Sequence, residues 1–133
     1  MVRRELREHI FKMLFQIEFI DMEDIPEHLV LYLDYLQSAT EEEKEHIKNK
    51  TRAVIEKVTE IDTILNEKTT GWKTTRMNKV DLTILRLAVY EMKWDEDIPT
   101  GVAINEAVEL SKRFSGEEGP SFVNGVLAKL TGN

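Results

Sequence analysis

The sequence predicts an all-α fold. Apolar residues recur at helical spacing along most of the chain, punctuating Pro, Gly, Asp and Thr residues separate the periodic stretches, and no stretch calls for a strand. The 133 residues fit one domain, 1–133, able to bury a real core.

The elements come in order. Residues 3–20 read as a helix in which Leu6, Ile10, Met13, Leu14 and Ile17 form one stripe and Phe11, Phe15 and Phe19 a second. So broad an apolar arc implies burial against more than one neighbour. An acidic turn, 21–24, leads to a helix over residues 25–37, with Asp24 expected as its cap and Pro26 in its first turn. Thr40 to Glu43 reads as a capping box, in which a hydroxyl and a carboxylate satisfy each other's orphan amides. The long helix behind it keeps its period to about Lys68, with a bend or break expected between Val58 and Asp62.

Residues 69–78 are the main irregular connection, with Trp72 expected to pack under it and Asn78 to cap the next helix. The remaining stretch, Val80 to Leu130, reads as three helices. Asp95–Pro99 and Gly116–Gly119 separate them, Thr100 is the expected cap of the second, and Pro120 takes the first position of the third. Val123, Val126, Leu127 and Leu130 give that last helix its stripe, and Asn124-Gly125 stays inside it. A mid-helix glycine costs about 1 kcal/mol relative to alanine, so close approach of a neighbouring helix backbone is expected at Gly125.

Composition narrows the function. There is no cysteine, which removes disulfides, thiol nucleophiles and thiolate metal sites. The longest apolar run, near Leu29–Leu33, is far too short to span a membrane. The first residues enter a periodic helix without a signal core, so a cytoplasmic protein is expected. His9, His28 and His46 fall on three different predicted helices without metal-ligand spacing. No phosphate loop, nucleophile elbow or converging carboxylate pair is present, so the sequence points to binding rather than catalysis, with no cofactor or metal.

Net charge is −7, yet residues 1–12 hold four basic residues against two acidic ones. Such a start is either a solvated helix end or a cationic contact surface.

The words ILRLAVYEM, IPTGVAINEAVELSKRF and FVNGVL, in this order, resemble the NusB family of bacterial antitermination factors. The resemblance covers nearly the whole chain, most strongly from Val80 to Leu127 and less so from Arg3 to Glu18. It implies about seven helices in two small helical-bundle subdomains and no enzymatic activity. It implies a factor that pairs with NusE, also a small-subunit ribosomal protein. The pair binds boxA in nascent single-stranded RNA and joins the RNA polymerase antitermination complex, notably on ribosomal RNA operons.

Carried over, the family's RNA surface corresponds to Arg3, Arg4, Arg7 and Phe15, then Glu118, Ser121 and Phe122. Arginines suit phosphates, and unstacked bases suit an aromatic ring. The basic start here reads RRELRE, with Glu5 and Glu8 among the arginines. Phe122 is open to two readings, a stacking ring or a core-edge ring. Ser121 can donate to a phosphate or cap its helix. The NusE surface corresponds to Asp81 and, more weakly, Arg76; Asp81 also suits the positive end of a helix dipole.

Other readings stay open. One is a helical protein-interaction module without an RNA role, which the net charge favours. Another is the related domain of ribosomal RNA cytosine methyltransferases; with the sequence ending at Asn133, the stand-alone factor is preferred. Some family members self-associate, which would hide the RNA face.

Overall fold

The computed structural model describes residues 1–69, 71 and 73–131. Among the described residues it contains seven α-helices and no strand. They are α1 (Arg3–Ile17), α2 (Ile25–Tyr35), α3 (Glu41–Glu56), α4 (Val58–Lys68), α5 (Lys79–Trp94), α6 (Thr100–Phe114) and α7 (Gly119–Leu130). Short 3₁₀ turns at Met22–Asp24 and Thr74–Arg76 lie before α2 and α5. No helix is long and apolar enough to cross a membrane among the described residues. The chain forms two compact units, the first Met1–Ile55 and the second from Glu56 onward. The expected place of Trp72 lies outside the described residues.

In the first unit, Ile10, Phe11, Met13 and Leu14 of α1 are buried together with Leu29 and Leu33 of α2 and Ile47 and Val54 of α3. Helix α1 ends at Ile17, three residues before the expected end, because Glu18, Phe19 and Ile20 donate to carbonyls three residues back and tighten the chain into a turn. Asp24 does not cap α2 with its side chain; it is wound into the preceding 3₁₀ turn, with φ −92° and ψ −6°. The capping box of α3 is present. The Thr40 amide donates to Glu43 Oε1 at 2.8 Å, and the Glu43 amide donates to Thr40 Oγ1 at 3.1 Å. Glu43 also pairs with the Met1 ammonium.

The helix break falls at Lys57, just before the expected window. No side chain caps α4 there, so the sequence carried no cap signal at that residue.

The second unit is built around α5. Leu82, Ile84, Leu85, Leu87, Ala88 and Val89 are all buried, and α5 packs on α4, α6 and α7. Ile61 and Leu65 of α4, Ala103, Ala107 and Leu110 of α6, and Val123, Val126 and Leu127 of α7 complete this core. Helix α4 is clamped to α5 by a two-pronged ion pair, in which Arg86 donates from Nε and Nη2 to the two Asp62 oxygens at 2.9 and 2.8 Å. Pro99, not Thr100, occupies the N-cap of α6, and no side chain caps it. Asn78 caps α5 as expected, accepting from the Asp81 amide at 2.8 Å.

Gly125 departs from expectation. It is exposed, and a Cβ built there would meet nothing within 4 Å, so no helix backbone approaches it. Close approach occurs at Gly119 instead, where a Cβ would fall 2.5 Å from Ser115 Cβ and 3.4 Å from Asp81 Oδ1.

Candidate nucleic-acid interface

The residues singled out in sequence lie at three places. The first is the start of α1. Arg3 and Arg4 are exposed, whereas Arg7 is only 8% exposed. Positions 7, 10, 11 and 14 follow the i, i+3, i+4, i+7 rule, so the helix turns Arg7 onto the face of Ile10, Phe11 and Leu14. That spacing is legible in the sequence; the density of arginines conceals it. Phe15 is half-buried between two rings, stacked on Phe11 at 6.2 Å and edge-on to Phe19 at 5.3 Å between centroids. The openly exposed ring of the three is Phe19, at 67%.

The second place is the start of α7. Glu118 holds the N-cap position in a helical conformation, without a side-chain cap bond, and is exposed. Ser121 is exposed in the first turn, so it does not take the cap position. Phe122 is half-buried beside the fully buried Val123. Ser121 and Phe122 line a groove of about 180 Å³ with Thr69, Gly125, Val126 and Lys129. Residues 121, 125 and 129 stack at i, i+4, i+8, which places Gly125 as an open gap between a hydroxyl and an ammonium. Sequence reasoning missed Lys129 because it stands apart from any basic cluster; the helical repeat from Ser121 was the available signal.

The third place is the start of α5. Arg76 is exposed at the end of its 3₁₀ turn. Asp81 is only 5% exposed. Its Oδ2 accepts from Asn78 Nδ2 at 2.8 Å, and its Oδ1 accepts from Ser115 Oγ at 2.5 Å. Both oxygens are therefore engaged inside the second unit, tying the start of α5 to the α6–α7 connection. Of the two readings the sequence left open for Asp81, the burial and these bonds favour the structural one: it is turned inward by its Asn78 cap and by Ser115.

Histidines form no cluster. His9 Nδ1 lies 2.8 Å from the Tyr32 hydroxyl, and His28 Nε2 donates to Gln16 Oε1 at 2.6 Å. Burial, with Lys12 adding, holds His9 below its ordinary value, and burial raises Tyr32. Among the described residues, no group of three or more His, Cys, Asp or Glu is arranged to hold a metal.

A family model for the NusB family matches residues 4–131. The chain belongs to the NusB family. A transcription antitermination protein NusB of Agathobacter rectalis is 54% identical to it over 130 residues, covering 98% of this chain and 99% of the relative. A solved structure of T. maritima NusB superposes with a TM-score of 0.86 at 35% identity, covering 100% of this chain and 92% of that one. A crystal structure of the antitermination factors NusB and NusE in complex with dsRNA gives a TM-score of 0.81 at 22% identity, covering 98% and 97%, a likeness of fold.

Proposed function

We infer that this chain is a transcription antitermination factor that binds boxA RNA together with NusE and supports ribosomal RNA transcription. It works in the cytoplasm as a single RNA- and protein-binding domain, and it is a binding protein rather than an enzyme. The observation that carries this reading is the 54% identity, over nearly the full length of both chains, to a protein named for antitermination.

We propose a division of the binding that the exposure of these side chains supports. Arg3 and Arg4 reach phosphates from the exposed start of α1, while Arg7 acts by holding that helix in place. In the α7 groove, Phe122 offers the edge of its ring to an unstacked base, Gly125 leaves room for it, and Ser121 and Lys129 hold the flanking phosphates. Glu118 opposes phosphate and keeps RNA affinity moderate without the partner. Phe15 contributes by bracing Phe11 and Phe19. The NusE surface includes Arg76 and the start of α5, where Asp81 fixes the backbone rather than meeting the partner directly.

The test is a titration of boxA RNA and a scrambled RNA of equal length, with and without NusE. Tighter binding to boxA, strengthened by NusE, is expected. Equal affinity for both RNAs in the presence of NusE would leave a protein-interaction module in place of an antitermination factor.

A further inference from the structure

Helix α2 reads IPEHLVLYLDY and is apolar on more than one side. Ile25, Leu29 and Leu33 form its buried stripe. On the outer side Glu27, Val30, Leu31, Asp34 and Tyr35 recur at i, i+3, i+4, i+7, i+8, and all five are exposed. Val30, Leu31 and Tyr35 show 55, 58 and 89% of their surface to solvent. A helix that is apolar all round is ordinarily covered all round. Exposed Phe19 and Met22 precede it, so most of the large exposed apolar side chains among the described residues fall in this one part of the chain.

The stripe borders a groove of about 360 Å³ lined by Gln16, His28, Leu31, Tyr32, Tyr35 and Leu36. Its walls are held by polar ties between α1 and α2, from His28 to Gln16 and between Tyr32 and His9. The groove is thus already formed before anything enters it.

Charge selects the occupant. Between Lys12 and Lys44 there is no lysine or arginine, against nine Asp and Glu residues. Asp21, Glu23, Asp24, Glu27 and Asp34 are exposed on and around α2. Such a face repels nucleic acid, and in a symmetric contact between two copies it would set like charges against each other.

We propose that the outer face of α2, with its groove, docks a cationic amphipathic helix of a partner protein. Apolar side chains of that helix enter between His28 and Tyr35, and its lysines or arginines meet Glu27 and Asp34, a helix-in-groove contact with charged rims.

The experiment uses the full chain and a labelled synthetic amphipathic peptide of leucine and lysine, about four helical turns long. Peptides with glutamate for lysine, or serine for leucine, serve as comparisons. The leucine–lysine peptide should bind best. Leu31→Ser with Tyr35→Ser should weaken it by about tenfold or more, Glu27→Lys with Asp34→Lys should do the same, and Val102→Ser, an exposed apolar residue on α6, should change nothing. All these side chains are exposed, and circular dichroism checks each variant for folding. Three results would overturn the proposal: equal binding of the serine–lysine peptide, indifference to both α2 pairs, or light scattering that shows a wild-type dimer split by Leu31→Ser with Tyr35→Ser.

Discussion

Two glycines in and around α7 should respond to the same substitution with opposite signs. At Gly125 the backbone is helical, φ is not positive, and a Cβ would meet nothing within 4 Å. Alanine there removes backbone freedom from the unfolded chain at no steric cost, so Gly125→Ala should stabilise by about 1 kcal/mol. At Gly119 the new Cβ would collide with Ser115. The serine hydroxyl could rotate away, but Ser115 Cβ, 2.5 Å from the new atom, is fixed by the backbone. Relief requires the α6–α7 connection to shift, which also strains the Ser115–Asp81 bond. Overpacking of this kind costs about 1–3 kcal/mol, so the two variants should differ by at least about 2 kcal/mol. For a chain of this size that separates their melting temperatures by roughly 5–10 °C. Thermal melts followed by far-ultraviolet circular dichroism read the difference. Ser115→Gly in the Gly119→Ala background should recover part of the stability, because it removes the atom that is struck. A lower melting temperature for Gly125→Ala than for wild type, or an unchanged one for Gly119→Ala, would refute the packing argument.

Three further outcomes are expected. Replacing Arg3 and Arg4 with alanine should flatten the salt dependence of boxA binding by about 0.7 for each phosphate no longer neutralised, while Arg7→Ala should mainly lower the melting temperature; a slope unchanged by the double variant would move the phosphate-binding surface elsewhere. In complexes with NusE, Phe122→Ala should lose about 1–3 kcal/mol of RNA affinity with little change of slope, and Glu118→Gln should gain affinity; wild-type affinity in both would take the RNA off α7. The Met1 ammonium and then the Thr40 amide hold Glu43 below its ordinary 4.5, while Glu43 holds the Met1 ammonium above its ordinary 8.0, so their stabilisation is complete between these values, is lost as pH falls through the lowered carboxyl value, and is lost as pH rises through the raised amine value. Glu43→Gln keeps a capping-box side chain without its charge, so its melting temperature should fall below wild type near neutrality, converge with it at low pH, and show a narrowed gap at high pH, where the Thr40 bond to the carboxylate persists; a constant gap across pH would argue against the pair.

Periodicity made the fold legible because nearly every helix carries a continuous buried stripe, and the boundaries were readable wherever a side chain acts on the backbone. Asn78 and Thr40 are such cases. Lys57 and the turn after Ile17 were not readable, since no side chain caps α4 at Lys57 and backbone hydrogen bonds tighten the chain after Ile17. The site was less legible. Family words pointed to the starts of α1 and α7 as the candidate surface, but residue type alone did not separate the exposed Arg3 and Arg4 from Arg7, which the helical repeat sends inward. Asp81 was legible only as a first-turn acid, because the bond it accepts comes from Ser115, 34 residues later in the chain. Lys129 and the gap at Gly125 form part of the groove through three-dimensional neighbours that no local pattern displays.

The placement of α5 bears on how the protein is made. Its apolar surface is buried by α4, which precedes it, and by α6 and α7, which come after it. During synthesis, which proceeds from the N-terminus, the first unit has all its helices once α3 has left the ribosome, and it can fold while the rest is still being translated. Helix α5 has no such opportunity. It must wait, with its leucines and isoleucines uncovered, until Val123, Val126 and Leu127 of the last helix emerge. The nascent chain is therefore most vulnerable to aggregation and to chaperone capture in the interval between the appearance of α5 and the completion of α7.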